Sequence, residues 1–529
     1  MIYKKALLWF FLIGISLASL AQDPSATKFA KRISTSDARK HLTILSSDEF
    51  EGRETGKPGA EKAANYIAKQ FKRLGLQAPV NGSYFQNFPL WENVFEVKSF
   101  TVNGTNLSYS KDFYFSATPN VTSIKTKEIV YVGYGMDSET YHDLDGTDIA
   151  GKVVLLINKD EPTDKNKTEE STDWGTNRLK RISYIQSKNP SLILAVITNA
   201  NEPQEGSNLS FPSKGRLSLK KANSESYLNQ LEAAPVANIS AAIAGLFLKN
   251  STKTYEEVKA LINESTEPKK QTVKVDFTAD FGVYTKEVAS KNVLGFLPGS
   301  DLKDEILVIS AHYDHIGLEE TGIDKINNGA DDDGSGTTAI IELARAFTKA
   351  KKSGKGPRRS ILFLTVSGEE KGLLGSEWYS EHPVFPLSQT ITDLNIDMIG
   401  RVDPAHTANP NYCYLIGSDK LSTDLHKISE NANSIYTKLN IDYKFNDPND
   451  PERIYYRSDH YNFAKNNIPI IFYFNGVHED YHKPSDEVSK INFDLLVKRA
   501  HLVYYTAWDL VNRNKRPLVD VISDMPSKR

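Results

Sequence analysis

The sequence contains one cysteine, Cys413, in 529 residues. An intramolecular disulfide is therefore excluded, and so is any metal site built on paired thiolates. A bound metal must be held by His, Asp and Glu, a donor set that points to catalysis more than to structural zinc. Cys413 itself reads as a small buried apolar residue. An excess of charge is lacking too: 64 Lys and Arg stand against 67 Asp and Glu, a formal net charge of −3. Nothing in that balance draws nucleic acid or an anionic membrane. Beyond the first residues there is no apolar run of the ~20 residues that a spanning helix requires. No stable membrane insertion is expected.

What is present starts with Lys4 and Lys5, an apolar run over 6–17, and the small-x-small sequence Ser19-Leu20-Ala21. Residues 1–21 read as a secretory signal peptide, cleaved before Gln22, which sends the chain to the periplasm or the medium. The apolar run is too short for a membrane anchor. The chain is also too long for one hydrophobic core, since cores stop growing at roughly 250–300 residues. Two domains are expected.

Residues 46–53 form a polar, glycine-containing loop. Behind it, Ala60, Ala63, Ala64, Ile67, Phe71 and Leu74 recur at helical spacing and Gly75 supplies a stop. The segment 96–285 reads as a β-rich insert with one or two helices. Its short β-like runs lie at 129–132, 153–157 and 192–198, with turns at Gly133, Gly135, Gly146 and Gly151. The stretch 158–178 is a charged surface loop, and His142 is the only histidine of the insert. From Asn292 onward, apolar runs at 306–311, 361–366, 394–396 and 468–474 alternate with helical patterns at 337–347 and 493–511. The expected fold is α/β, a mixed and mostly parallel sheet with helices on both faces. It is formed by 22–95 and 286–515, interrupted by 96–285, and followed by a tail, 516–529.

The acids and histidines fall where these runs end. The first run enters His312-Tyr313-Asp314-His315, the second Ser367-Gly368-Glu369-Glu370, the third Asp397. Sites in such sheets form at the carboxyl ends of strands. His312-x-Asp314 lets one imidazole nitrogen bind metal while the other donates to a carboxylate, which fixes the tautomer. Glu369-Glu370 at a strand end can divide its labour, one carboxylate on a metal and one serving as general base. Gly329-Ala330-Asp331-Asp332-Asp333-Gly334-Ser335-Gly336 lacks the ligand spacing of a calcium-binding EF-hand. Its glycines permit a tight turn that aims one carboxylate inward. Tyr481-His482-Lys483-Pro484-Ser485-Asp486 follows the last run. Singly, each is as well explained by a solvated loop or a satisfied histidine. Their conjunction is not.

Together with Asn395-Ile396-Asp397-Met398-Ile399-Gly400, these blocks resemble the signature segments of the co-catalytic di-zinc aminopeptidases. That family includes secreted bacterial leucyl aminopeptidases and glutamate carboxypeptidase. The resemblance covers 292–515, and 36–90 less fully. Val132-Gly133-Tyr134-Gly135 and Ile149-Ala150-Gly151-Lys152-Val153-Val154 resemble the protease-associated domain often inserted in the family.

Carried over residue by residue, the resemblance implies two Zn2+ per chain. Asp332 would bridge them, His312 and Asp397 would complete one site, and Glu370 and His482 the other. Glu369 would be the general base acting on a zinc-bridging water, and Asp314 would orient His312. The metals would stand about 3.5–4 Å apart, and a cis peptide after the bridging aspartate is expected. The implied activity is an exported exopeptidase that removes N-terminal residues from peptides. Arg401, Arg457, Ser458, Asp459 and His460 are candidates for contacting substrate. Three alternatives stay open: a carboxypeptidase or amide-conjugate hydrolase, with Arg401, Arg453 and Arg457 receiving a free carboxylate; a one-zinc glutaminyl cyclase; and a receptor-like binding protein.

Overall fold

A computed structural model describes residues 22–525 apart from 118, 139–140, 145, 159–173, 175–176, 198–214, 222–232, 252 and 265–270. The signal peptide expected over 1–21 and most of the loop expected over 158–178 lie outside the described residues. Among the described residues no helix is long and apolar enough to cross a membrane. The chain divides into two compact units, Met1–Pro89 with Ala289–Arg529, and Leu90–Val288.

In the first unit the strands lie in the order Asn440–Asp442, Tyr412–Ile416, Ile470–Phe474, Thr390–Ile396, Leu302–His312, Arg359–Val366 and the end of Gln271–Leu297. The pairings among the four strands from Ile470–Phe474 to Arg359–Val366 are parallel. Tyr412–Ile416 runs antiparallel to Ile470–Phe474, and the end of Gln271–Leu297 antiparallel to Arg359–Val366. The expected mixed, mostly parallel sheet is what forms.

Every residue of Arg359–Val366 and Thr390–Ile396 is buried. Such strands carry no polar alternation, because both faces of the sheet are covered. Leu307, Ile309 and Ala311 pack with the helices Pro58–Leu74, Gly334–Lys352, Thr423–Ala432 and Phe493–Asn512. Ile306 and Val308 face the other way, into a core shared with Tyr379 of Leu374–Glu381 and Phe463 of His460–Ala464. The helix Pro58–Leu74 ends at Gly75 as its sequence predicts. Gly75 adopts φ 86°, and its N–H donates to the carbonyls of Phe71 and Lys72.

Strand register decides where the site lies. His312 pairs with Val366, and Ser310 pairs with Asn395. The three chemistry-bearing turns therefore leave the sheet at one level.

The second unit contains the strands Thr122–Tyr131, Val153–Ile157, Leu192–Val196 and Val236–Ile239, consecutive and parallel, with Phe113–Phe115 antiparallel at the edge. Among the described residues of this unit, the three α-helices Arg178–Gln186, Ala241–Leu248 and Tyr255–Glu264 exceed the one or two expected. Ala241–Leu248 is apolar almost throughout, so it has no helical period to read.

Candidate active site and metal centre

Each functional side chain sits where a regular element breaks. The strand Leu302–His312 delivers His312, which is 1% exposed. Gly368, at φ 82°, turns the chain after Arg359–Val366 and presents Glu369 and Glu370. Asp397 follows Thr390–Ile396 directly. The loop before helix Gly334–Lys352 contributes Asp332, and the Asp332–Asp333 peptide is cis. Asp333 ties this loop to the neighbouring strand end: its Oδ1 accepts from the backbone N–H of Gly336 (2.9 Å) and of Met398 (3.0 Å). A Cβ on Gly336 would lie 2.4 Å from that carboxylate, so the close approach requires glycine.

The two oxygens of Asp332 face two histidines. Oδ1 is 3.3 Å from His312 Nε2 and Oδ2 is 3.1 Å from His482 Nε2. His312 Nε2 also faces Asp397 Oδ1 at 3.6 Å, and His482 Nε2 faces Glu370 Oε2 at 3.0 Å. Glu369 Oε2 is 4.0 Å from His312 Nε2. Two donor groups thus share one carboxylate. His482 Nε2 is buried and makes no hydrogen bond to either oxygen that it faces. Nitrogen and oxygen atoms that converge without hydrogen-bond geometry fit a cation between them. The donor set is hard to borderline and free of thiolate, as suits zinc in a catalytic site.

Two further residues come within reach of this centre. The ligand atoms of His312, Asp333 and Asp397 form one close group, and those of His315, Asp332 and Glu370 another. Asp333 has committed one oxygen to two backbone N–H groups. His315 Nδ1 lies 2.8 Å from Glu370 Oε1, on the oxygen that His482 does not face. It reads as a hydrogen-bond donor that orients Glu370.

The surrounding shell departs from expectation at Asp314. His312 Nδ1 is 3.0 Å from the backbone carbonyl of Asp314 and 3.8 Å from its carboxylate. The carboxylate is engaged elsewhere, accepting from Thr55 Oγ1 (2.5 Å) and from the backbone N–H of Glu369 (3.3 Å). Asp314 thus supports His312 through its main chain and Glu369 through its side chain.

A buried chain runs inward from Asp397. Asp397 Oδ2 accepts from Ser458 Oγ (2.7 Å), which accepts from Asn395 Nδ2 (2.8 Å). Asn395 Oδ1 and Asp393 Oδ1 both lie near Ser310 Oγ, at 2.9 and 2.8 Å. A hydroxyl has one proton to give, and an amide oxygen has none. Both contacts are satisfied if Asp393 is protonated. Burial pushes its carboxyl well above the usual range, consistent with that assignment.

Beneath the centre lies Arg53, which no periodicity marks. It is 1% exposed, with φ 49°. Its guanidinium donates to the carbonyls of Tyr313 (2.8 Å), Leu45 (2.8 Å), Asn328 (2.6 Å) and Gly329 (2.8 Å). The segment read as a polar loop is instead a 3-10 turn, Asp48–Arg53, that ties the His312 and Asp332 loops together. Asp486 Oδ2 adds to this by accepting from the N–H groups of Asp331 (2.9 Å) and Asp332 (3.1 Å). One signal in the sequence was the pair Gly52-Arg53 amid acids, since a buried turn needs both a left-handed residue and a donor for its carbonyls.

The electrostatics separate the carboxylates. Burial, reinforced by Glu370, Asp397 and Asp459 and opposed by His312, holds Glu369 well above the usual carboxyl range. Asp332 is equally buried, yet the imidazoles of His312, His315 and His482 beside it hold it well below that range. This contrast fits a ligand and a base in one pocket.

The candidate substrate residues separate as well. Arg457 lines a narrow pocket with Asp332, Glu369 and Asp397, walled by Met398, Ile454, Phe472, Phe474 and Val477. It also lines a cleft of about 390 Å³ with Glu369, Glu370, Arg453 and Tyr456. Arg401 is buried and engaged: its guanidinium donates to Asp480 (2.9 Å) and Glu479 (3.3 Å), and it lines neither cavity. Ser458 holds Asp397. Asp459 is fully buried, and burial raises its carboxyl to about 7 despite His312. His460 is core: its Nε2 donates to the Tyr455 carbonyl (2.8 Å) and its ring stacks on Phe472. The side chains of Arg401, Asp459 and His460 thus do not open onto either cavity.

Residues 292–507 match Peptidase family M28, and the chain carries a domain of that family over this span. Aminopeptidase YwaD of Bacillus subtilis is 26% identical over 236 residues, 43% of this chain and 46% of that protein. A probable glutamate carboxypeptidase of Arthroderma benhamiae is 35% identical over 108 residues, 20% of this chain and 14% of that protein. The chain spans about half or less of the length of these curated relatives. Among solved structures, an aminopeptidase from Aneurinibacillus sp. strain AM-1 is 19% identical with a TM-score of 0.48, covering 95% of this chain and 100% of that one.

Proposed function

We propose that the protein is an exported metallo-exopeptidase that binds two zinc ions and releases N-terminal residues from peptides. The observation that carries this reading is the placement of Asp332, whose two oxygens face His312 and His482 separately. His312 and Asp397 would hold one ion, Glu370 and His482 the other, with Asp332 between. Bound ions would supply Lewis acidity at a scissile carbonyl and make a water more acidic.

The chain's own residues do the rest. Glu369 stands beside the shared aspartate without a place in either ligand group. Its carboxylate accepts the proton of the attacking water and returns it to the leaving amine. Glu370 and Asp397 raise its proton affinity in the bare protein. Cations that compensate those two acids leave Glu369 ionised, as a base must be. Asp314 holds the Glu369 main chain, and the Asp393–Ser310–Asn395–Ser458 chain holds Asp397. Acid-lined surroundings favour a free α-amine near the scissile bond, which limits cleavage to peptide ends. The segment 1–21 acts as the signal peptide in this reading, and 96–285 as a protease-associated module.

The test combines metal analysis with a panel of dipeptides carrying free or acetylated amino ends. Two zinc ions per chain and hydrolysis confined to free amines are expected. Hydrolysis confined to acetylated substrates would turn the reading to a carboxypeptidase, for which Arg453 and Arg457 are the cations at hand. Loss of activity on every amide, with metal bound, sinks it.

A further inference from the structure

We infer that Arg457 forms a subsite for a carboxylate of the substrate, beside the scissile bond. The inference rests on the exopeptidase reading above and adds the chemistry of the ligand that the site prefers.

Arg457 contrasts with the four buried arginines among the described residues of this unit. Arg53, Arg359, Arg401 and Arg499 are each nine-tenths or more buried. Their guanidinium groups are taken up by backbone carbonyls or by carboxylates of the fold. Arg457 is exposed. Its side chain donates to the Tyr481 hydroxyl at 3.3 Å, and among the described residues no carboxylate pairs with it. The guanidinium lines the same cavities as four carboxylates and is held by the Tyr481 hydroxyl, not by those acids. Arg457 follows the short turn Ile454–Tyr456 and caps its end, which fixes where the side chain leaves the chain.

Its position is specific as well as unpartnered by acid. The same side chain borders the narrow pocket, where Met398, Phe472, Phe474 and Val477 provide apolar walls, and the cleft that Glu369 also lines. Apolar walls exclude water and strengthen a charge interaction at the lip. The planar fork of arginine matches a carboxylate with two parallel hydrogen bonds. Arg453 stands at the same cleft, its guanidinium 4.8 Å from the Tyr456 ring centroid, and extends the positive edge. The cleft's volume of about 390 Å³ accommodates one or two residues beyond the scissile bond. A substrate carboxylate can reach Arg457 from either side: from an acidic side chain on the N-terminal residue, through the pocket, or from the terminal carboxylate of a dipeptide, through the cleft.

The experiment reads binding, so it does not depend on turnover. In the zinc-loaded Glu369→Gln protein, calorimetry compares glutamic acid α-amide with glutamine α-amide, and Leu-Leu with Leu-Leu amide. At least one carboxylate ligand is expected to bind about tenfold more tightly than its amide, equivalent to about 1.4 kcal/mol. The pair that shows the ratio identifies the source. Adding Arg457→Gln should bring the ratio to one, while Arg457→Lys should keep part of it. Ratios of one in both pairs overturn the subsite, as does a ratio that survives Arg457→Gln. If the ratios hold but the parent protein hydrolyses none of the free-amine substrates, the exopeptidase reading fails and the subsite stands.

Discussion

His312 and His482 face one carboxylate from opposite sides, and they are held by different means. His312 ends a central strand, is 1% exposed, and has its second nitrogen set against the Asp314 carbonyl at 3.0 Å. His482 sits in a turn with φ 55°, and its side chain is 36% exposed. Its main lateral support is the Tyr481 ring, stacked at 3.8 Å between centroids. The first histidine shares the stability of the whole sheet, whereas the second depends on a loop that can open locally. In the proposed two-ion centre one half would be ready-made and the other would loosen first. Asp332 would couple them, because its two oxygens face the two histidines.

The strongest way to break the comparison is to remove the shared residue. Asp332→Ala should lower zinc content in both halves and abolish peptide hydrolysis, as metal analysis and a dipeptide assay would show. A variant that still binds two ions would mean that the halves are independent. Glu369→Gln should leave both ions in place and reduce turnover by about 10²- to 10⁴-fold, the usual contribution of a general base. Wild-type turnover in that variant removes Glu369 from the mechanism.

The two histidines can then be compared directly. Chelator titration of the parent protein should remove the ions in two steps, the first one abolished in His482→Ala. One cooperative step would argue against a difference between the halves. Deeper in the shell, Asp393→Leu should weaken zinc binding at the His312 half by about 10- to 100-fold, the range for lost supporting hydrogen bonds at metal sites. Asp393→Asn, whose amide can still donate to Ser310, should recover most of it. Equal loss in both variants would show that packing, not the hydrogen-bond chain, matters there.

The smallest effect on the centre is expected midway along two helices of the same unit, Thr35–Leu45 and Gly334–Lys352. Glu342, on Gly334–Lys352, is raised from 4.5 to about 7 by burial, against Arg345. His41 lies 3.8 Å away and is lowered from 6.5 to about 4 by burial and by Arg345. From pH 4.5 to 7 the folded state binds the extra proton at Glu342, so stability falls as pH rises. From pH 4 to 6.5 the unfolded state binds the extra proton at His41, so stability rises with pH. The opposed slopes should give the parent a nearly flat profile through pH 4.5–6.5. Denaturation of Glu342→Gln should expose the rising limb and that of His41→Gln the falling one, each worth about 3 kcal/mol. Neither should change zinc content. A parent profile that slopes steeply in that window contradicts the pairing.

Much of this was legible in the chain. The parallel strands announced themselves as uninterrupted apolar runs, because strands covered on both faces need no polar side. The strand Asn440–Asp442 escaped notice, being three residues long with only one of them apolar, and Tyr412–Ile416 was not picked out either. Short runs carry too little pattern to distinguish from a loop. At the site, the residues quoted from five separated segments are the ones that the sheet rim brings together. Arg53 and Thr55 were not picked out, since nothing local marks a residue whose partners lie far along the chain.

By itself, the sequence determined the chemistry on offer. Without paired thiols it allowed only His and carboxylate donors, and it set those donors at the ends of strands, where α/β sheets place their sites. Local spacing suffices for this, because a strand end and a glycine turn are short-range features. The tertiary structure decided the assignments that depend on competition between buried groups. Asp314 supports His312 with its carbonyl because Thr55 and the Glu369 N–H occupy its carboxylate. Arg401 is closed off by Asp480 and Glu479, while Arg457 faces the cleft. A buried polar group must find a partner or remain costly, and which partner it finds is a matter of three-dimensional packing that no spacing along the chain encodes.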